Sequence, residues 1–157
     1  LLPTWPSELL DVLPNLYTTE LSPEANAWWR AAAIRLAIGK LIAIDYGHGL
    51  EDWPAANQPN GTVRGYRSQQ IVDDVLLDPG KQDITSHANF GLAQRAGEVA
   101  GLQTEQFTSQ ESFLNSTFVE MLQSAPELAQ LINVRQLQTL THPGHMGRPF
   151  RVLVQAR

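Results

Sequence analysis

Two patterns alternate along the chain. Helical-period apolar faces are interleaved with short extended apolar runs, and together they predict alternating helices and strands. Leu16–Ser22 (LYTTELS) alternates loosely and is rich in Thr and Tyr, which predicts a short strand. The next segment, SPEANAWWRAAAIRLAIG, carries helix punctuation at both ends. Ser22 is a capping residue, Pro23 suits the first helical position, Glu24 favours the positive end of the dipole, and Gly39 can close the element. Ala25, Trp28, Trp29, Ala32, Ile34, Leu36 and Ala37 form its apolar face, with Arg30 and Arg35 outside. Leu41, Ile42, Ala43 and Ile44 are then consecutive, not alternating, which predicts a strand covered on both faces, as in a parallel sheet. Burying its three large side chains is worth roughly 5–9 kcal/mol before entropy is counted. Strand, helix and strand read as a βαβ-like unit with a right-handed crossover. The second strand needs neighbours on both edges, and the sequence before it offers one candidate.

Residues 47–63 are a Gly/Pro/Asn-rich loop, TVRGY predicts a short strand, and LLDPGKQD holds a turn. From about Asn89, Phe90, Leu92, Ala93, Ala96, Val99 and Ala100 repeat at helical spacing until Gly101. TEQFTS predicts a strand. Thr108–Glu111 (TSQE) reads as a capping box worth about 1 kcal/mol, and Phe113, Leu114, Phe118, Met121 and Leu122 form the stripe behind it. Pro126 restarts a helix through Leu128, Leu131, Ile132 and Leu137, and after the THPGHMG turn FRVLVQ predicts a final strand. The expected class is α/β, with residues 1–157 as a single domain and no internal repeat.

Composition narrows the function classes. The chain has 157 residues, 43% apolar and 17% charged, which is ordinary for one globular domain. A net charge of −5 and a pI near 5.3 argue against a nucleic-acid partner, which would call for a basic patch. No apolar run approaches the ~20 residues of a membrane helix, and no signal peptide is recognisable, so no membrane partner is expected. The absence of cysteine removes disulfides and thiolate zinc sites and suits a reducing compartment. The chain opens at Leu1, without Met, on LLPTWPSELLDVLP, which reads as the interior of something longer.

Ligands of open α/β sheets sit beyond the carboxyl ends of the strands. That rule places Asp45, Tyr46, Gly47 and His48 where chemistry would occur. Spacing alone leaves open a second reading, a polar strand end followed by a turn. The corner is not a P-loop, because no GK[ST] follows, and GxGxxG is absent. His142 and His145 are three apart, but the intervening Pro-Gly argues for a turn, so no metal is expected. Asp83, Thr85, His87 and Asn89 precede a helix, and they read either as capping and turn chemistry or as a polar rim on a ligand cleft. Asp73, Asp74 and Asp78 lack calcium-loop spacing. No G-x-S-x-G elbow or nucleophile–base pair supports a hydrolase.

Several of these pieces, in order, resemble one family. YTTELSPEANAWW, GKLIAIDYGHG, GTVRGYRSQQIVDDVLLDPGKQDITSHANF, TSQESFL and HPGHMGRPFRVLVQ follow the succession found in MidA-like S-adenosylmethionine-dependent methyltransferases. That group includes the complex I assembly-factor type of protein arginine methyltransferase. The ordered set covers nearly the whole chain and resembles the C-terminal half of the family. Asp83, Ile84, Thr85, His87, Ala88, Asn89 and Phe90 match one family segment. Thr108, Gln110, Phe113 and Leu114 match another, and Met146, Gly147, Phe150, Arg151, Val152 and Leu153 a third.

The resemblance implies the C-terminal portion of a class I, Rossmann-like methyltransferase sheet with flanking helices. The N-terminal half that binds the donor, with its glycine-rich loop and acid, has no counterpart here. LIAID would be a central strand and FRVLVQ the antiparallel strand inserted late. The cofactor implied for the full family protein is S-adenosylmethionine, which this chain alone is not expected to bind. An arginine acceptor in a protein substrate would want acidic partners, for which Asp45 and Glu20 are the candidates. Tyr46, Gly47, His48, Thr85, His87 and Asn89 would form the active-site wall or bind substrate. The alternative is a non-catalytic fragment or interaction module. In either case an unpaired edge at Leu41–Ile44 predicts self-association. Bacterial cytoplasm and mitochondrial matrix are both open.

Overall fold

The computed structural model describes residues 11, 13–50, 52, 59–72 and 74–157. The opening segment, residues 1–10, lies outside these, as do most of residues 51–58 and Asp73. The expected strand at Leu16–Ser22 is not formed. Among the described residues, Thr18 makes only an isolated parallel bridge to Asn60, so the predicted βαβ-like unit lacks its first strand. Thr and Tyr favour a pleated surface only when a partner strand is present to accept them.

Helix α1 (Pro23–Arg35) begins where the punctuation placed it, with proline in the first turn, although the Ser22 side chain makes no capping bond. It ends before Gly39, whose φ of +124° turns the chain into strand β1 (Lys40–His48). Trp29 and Ala33 are its buried positions, while the neighbouring Trp28 stays 64% exposed. A small antiparallel sheet follows, built from β2 (Arg64–Arg67), β3 (Gln70–Val72) and β4 (Asp83–Thr85) in the order β3-β2-β4. Its tight hairpin turns through Ser68 and Gln69, both at positive φ, without the glycine that normally advertises such a turn. Strand β5 (Ala88–Asn89) then leads directly into α2 (Phe90–Val99), which Asn89 caps by accepting from the Leu92 amide at 2.9 Å.

Strand β6 (Gln103–Ser109) runs into α3 (Gln110–Ser124). The cap is Ser109, which accepts from the Ser112 amide at 3.2 Å, and not Thr108, which remains in the strand. Glu111 accordingly turns to Arg148, at 3.5 Å. The helix expected after Pro126 is split into α4 (Pro126–Ala129) and α5 (Val134–Thr141). Asn133 makes the break by accepting from the Arg135 and Gln136 amides, a local bond that competes with helix continuation. Strand β7 (Phe150–Ala156) closes the chain.

The main sheet has the order β5-β1-β7-β6. β7 is antiparallel to both β1 and β6, as the resemblance implied for FRVLVQ. Val152 through Gln155 are all buried, so β7 is covered on both faces. Leu153 packs with Trp29 and Phe90, and Leu41, Ala43, Ala93, Ala96 and Phe107 gather around them. The expectation that β1 is buried on both faces is not met among the described residues. Exposure alternates along β1: Leu41 and Ala43 pack against the core, while Ile42 and Ile44, on the opposite face, are 49% and 46% exposed.

One polar group crosses this core. Gln155 is 0% exposed, accepts from Trp29 Nε1 at 2.8 Å, and donates to Gln94 O and Thr104 Oγ1 at 2.9 Å each. It ties α1, α2 and β6 to β7. Gly97 on α2 makes room for it, since a Cβ there would lie 2.7 Å from Gln155 Cδ.

Candidate functional site

The parallel register Gly47↔Ala88 and His48↔Asn89 fuses the end of β1 to the start of α2. Glycine at 47 is a packing requirement. A Cβ there would sit 2.6 Å from the Phe90 ring and closer still to the Ala88 carbonyl. Two stretches distant in sequence, IDYGH and SHANF, thereby meet at one sheet end. Beside them opens a cavity of about 830 Å³, whose wall includes Trp28, Ile42, Ile44, Asp45, His87 and Asn89. That volume suits a small-molecule ligand.

Glu20 also borders the cavity, but its carboxylate is occupied. Oε1 accepts from the Thr62 and Val63 amides at 2.5 and 2.8 Å, and Oε2 from the Thr62 hydroxyl at 3.2 Å. Burial pushes this carboxyl up, and the amide donors of Val63 and Thr62 outweigh that push, holding it below its ordinary value. Glu20 is therefore a clamp on the 61–63 loop, and it does not stand at a strand end as the sequence suggested.

Asp45 is exposed, with Oδ1 accepting from the Tyr46 amide at 2.7 Å. Asn89 uses Oδ1 for the helix cap, while its Nδ2 is buried and finds no acceptor among the described residues. Leaving such a donor unmade costs about 1–3 kcal/mol, so an acceptor arriving in the cavity has something to satisfy.

His87 and His48 form a pair, Nδ1 of the first lying 2.7 Å from Nε2 of the second. The His87 backbone amide donates to Thr62 Oγ1 at 2.9 Å, which connects it to the Glu20 clamp. The Tyr46 ring lies nearly parallel to the His87 ring, 6.2 Å away, and tilts against Phe150 at 4.0 Å. Burial, followed by the charge of His48, lowers the His87 pKa, with Arg64 acting in the same direction and Glu20 and Asp45 opposing.

Of the residues picked from sequence, the structure brings Glu20, Asp45, His87 and Asn89 to the cavity wall. Tyr46, Gly47 and His48 do not line the cavity, and Thr85 lies on β4 in the small sheet, exposed and paired with Arg64. Thr62 escaped sequence reading, and so did the wall position of Trp28. Neither carries a local signal, because Thr62 acts on partners 42 and 25 residues away. His142 and His145 occupy the turn before β7, where His142 Nδ1 accepts from the Gly144 amide at 3.1 Å. Among the described residues, no group of three or more His, Asp or Glu side chains is arranged to hold a metal ion.

A family model described as "Putative S-adenosyl-L-methionine-dependent methyltransferase" matches residues 3–108, about two thirds of the chain. The chain belongs to this methyltransferase family. The match agrees with the MidA-like resemblance of the motifs. Protein arginine methyltransferase NDUFAF7, mitochondrial, from Xenopus laevis is 28% identical over 155 residues, 93% of this chain. Among solved structures, a COG1565 superfamily member from Burkholderia thailandensis bound to S-adenosyl-homocysteine superposes with a TM-score of 0.79 at 29% identity, over 96% of this chain. A second COG1565 superfamily structure from the same organism gives 0.75 at 28%, over 99%. The chain spans 31% of the frog methyltransferase and 40% and 44% of the two bacterial proteins. The fold is thus that of a part of a methyltransferase. No helix among the described residues is long and apolar enough to cross a membrane.

Proposed function

We propose that this chain supplies the acceptor-side wall of an S-adenosylmethionine-dependent methyltransferase, with a protein arginine side chain as the acceptor. The observation that carries the reading is the cavity at the joined ends of β1 and β5, where Asp45, His87 and the unpartnered Asn89 Nδ2 converge in a member of this family. The residues present fit the donor in part. The cavity volume and the buried Asn89 donor suit a ligand bearing carboxylate or hydroxyl oxygens. No glycine-rich strand-to-helix turn for a nucleotide-like group occurs among the described residues.

When bound, S-adenosylmethionine supplies a methyl group on a sulfonium. The chain's own part is to hold the acceptor. Among the described residues Asp45 Oδ2 is the carboxylate oxygen left available for a guanidinium, since Oδ1 is engaged by Tyr46 N. Trp28, Ile42 and Ile44 give one side of the cavity an apolar lining. Glu20 acts indirectly, by holding Thr62 and through it the His87 backbone.

Calorimetric titration of S-adenosylhomocysteine into this chain tests how much of the donor site it carries. Micromolar binding would mean that the wall described here contributes directly to the donor. No heat would assign the donor to the portion of the family fold that this chain does not span. In an enzyme with the complete fold, Asp45→Asn is expected to cut turnover while S-adenosylhomocysteine still binds; unchanged turnover would remove Asp45 from the site.

A second reading, self-association, is favoured by the outer edge of β1. Lys40–Tyr46 pair with β7 on one side, and on the other, among the described residues, β5 covers only Gly47 and His48. Trp28, Ile42 and Ile44 add exposed apolar surface beside that edge, a combination that templates strand addition. Light scattering at high micromolar concentration is expected to show a dimer or larger species that Ile44→Lys reduces. A clean wild-type monomer counts against it.

A further inference from the structure

We propose that His87 is the proton acceptor of this site and that His48 is the residue that positions it. The inference rests on the methyl-transfer reading above and adds what that reading leaves unassigned: where the proton goes when an acceptor nitrogen gains a substituent.

Geometry restricts the roles of the two rings. His87 lines the cavity and His48 does not. Their 2.7 Å contact joins His87 Nδ1 to His48 Nε2, and His87 Nε2 takes no partner among the described residues. Two tautomeric arrangements satisfy that contact. If His87 Nδ1–H donates to His48, then His87 Nε2 presents a lone pair to the cavity and is a base. If His48 Nε2–H donates instead, His87 presents an N–H and cannot accept a proton. The surroundings hold the ring rigidly for either case. The His87 amide is fixed on Thr62 Oγ1, the Tyr46 ring lies parallel to the imidazole, and the β1–β5 register sets the backbone at Gly47, His48, Ala88 and Asn89.

The charged groups facing His87 come from several elements. Burial, His48 and Arg64 disfavour its cation, which keeps the imidazole neutral and able to accept at neutral pH; Glu20 and Asp45 stabilise the cation once it forms. The step balances simply. As the acceptor nitrogen forms its bond to the incoming methyl carbon, one of its N–H bonds breaks, that electron pair stays on nitrogen, and the Nε2 lone pair of His87 becomes the new N–H bond. The methyl group would leave a sulfonium that becomes a neutral thioether. The guanidinium would remain a cation, because the charge gained with the methyl group offsets the proton lost, and neutral His87 becomes a cation stabilised by Glu20 and Asp45. Exchange with water later returns the proton to solvent.

Long-range ¹⁵N–¹H NMR of the labelled chain at pH 7.5 reads the tautomer without any donor. The expected result is His87 protonated at Nδ1, bare at Nε2, and titrating below an ordinary histidine. His48→Phe should release the ring to a tautomer mixture, and His48→Glu, which offers an acceptor and no donor, should restore the single tautomer. A wild-type His87 protonated at Nε2, or one indifferent to His48→Phe, overturns the assignment. In an enzyme holding this chain within the complete fold, His87→Gln should lower methyl transfer by about 10²–10⁴-fold with S-adenosylhomocysteine affinity unchanged. Unchanged turnover overturns the proton role alone. Failure of the wild-type complete enzyme to bind S-adenosylhomocysteine overturns the methyl-transfer reading, and the proton role falls with it.

Discussion

Gln155 offers the sharpest test of how this fold is held together. It is a fully buried amide with three hydrogen bonds, and one of them satisfies the indole N–H of the buried Trp29. In Gln155→Met the volume is nearly kept and the side chain becomes apolar, so the cost measures the lost bonds. Two of the three partners retain other bonds. Thr104 Oγ1 still donates to Glu98 Oε1 at 2.8 Å, and Gln94 O remains within the α2 ladder. Trp29 Nε1 has no such alternative among the described residues, and a buried unmade donor costs about 1–3 kcal/mol. The expected loss is therefore about 2 kcal/mol, or roughly 1 M in urea midpoint for a typical slope. Urea unfolding followed by far-ultraviolet circular dichroism avoids relying on tryptophan emission, because the second mutation is Trp29→Phe. Phe has no N–H to strand, so Gln155→Met should cost at least about 1 kcal/mol less in that background. Additivity within about 0.3–0.5 kcal/mol would refute the claim that this bond couples α1 to β7.

Gly97→Ala tests the same junction from the helix side. Alanine would gain about 1 kcal/mol of helix propensity, yet its Cβ collides with the Gln155 amide, so a net loss of about 1–3 kcal/mol is expected in urea unfolding; stabilisation would show that Gln155 can move freely. The Glu20 clamp should depend on acid pH. Its folded pKa lies below the unfolded one, so its contribution is complete above the ordinary carboxylate range and is lost as pH falls through the lowered folded value. Protection of the Thr62 and Val63 amides against hydrogen exchange, taken relative to the intrinsic rate at each pH, should fall across that window in wild type, and Glu20→Gln should abolish the dependence. Gly47→Ala should separate β1 from β5, because its Cβ meets the Phe90 ring and the Ala88 carbonyl. Loss of the His48–His87 contact by NMR is the expected sign, and an intact pair would show that the strand ends can shift apart.

Elements whose cause is local were legible in the sequence. Pro23 at the start of α1, Asn89 before α2, the run Leu41–Ile44 and the run Phe150–Gln155 each specify their element through neighbours a few residues away. Ordered motifs likewise identified the family, because motif order survives without geometry. Three features depended on partners distant in the chain. The segment Leu16–Ser22 has strand composition but, among the described residues, pairs only through the Thr18–Asn60 bridge, so it stays irregular and Glu20 becomes a clamp. Ser109 displaced Thr108 as the α3 cap because pairing with β7 carries β6 through Ser109. The His48–His87 pair was invisible for the same reason. Both histidines were candidates for the same wall, but only the two-residue parallel pairing of β1 with β5 makes them neighbours. Local hydrogen bonds and side-chain periodicity act over one turn or one strand, and sequence carries them directly. Sheet pairing and cavity walls are set by packing among segments tens of residues apart, which only the tertiary structure decides.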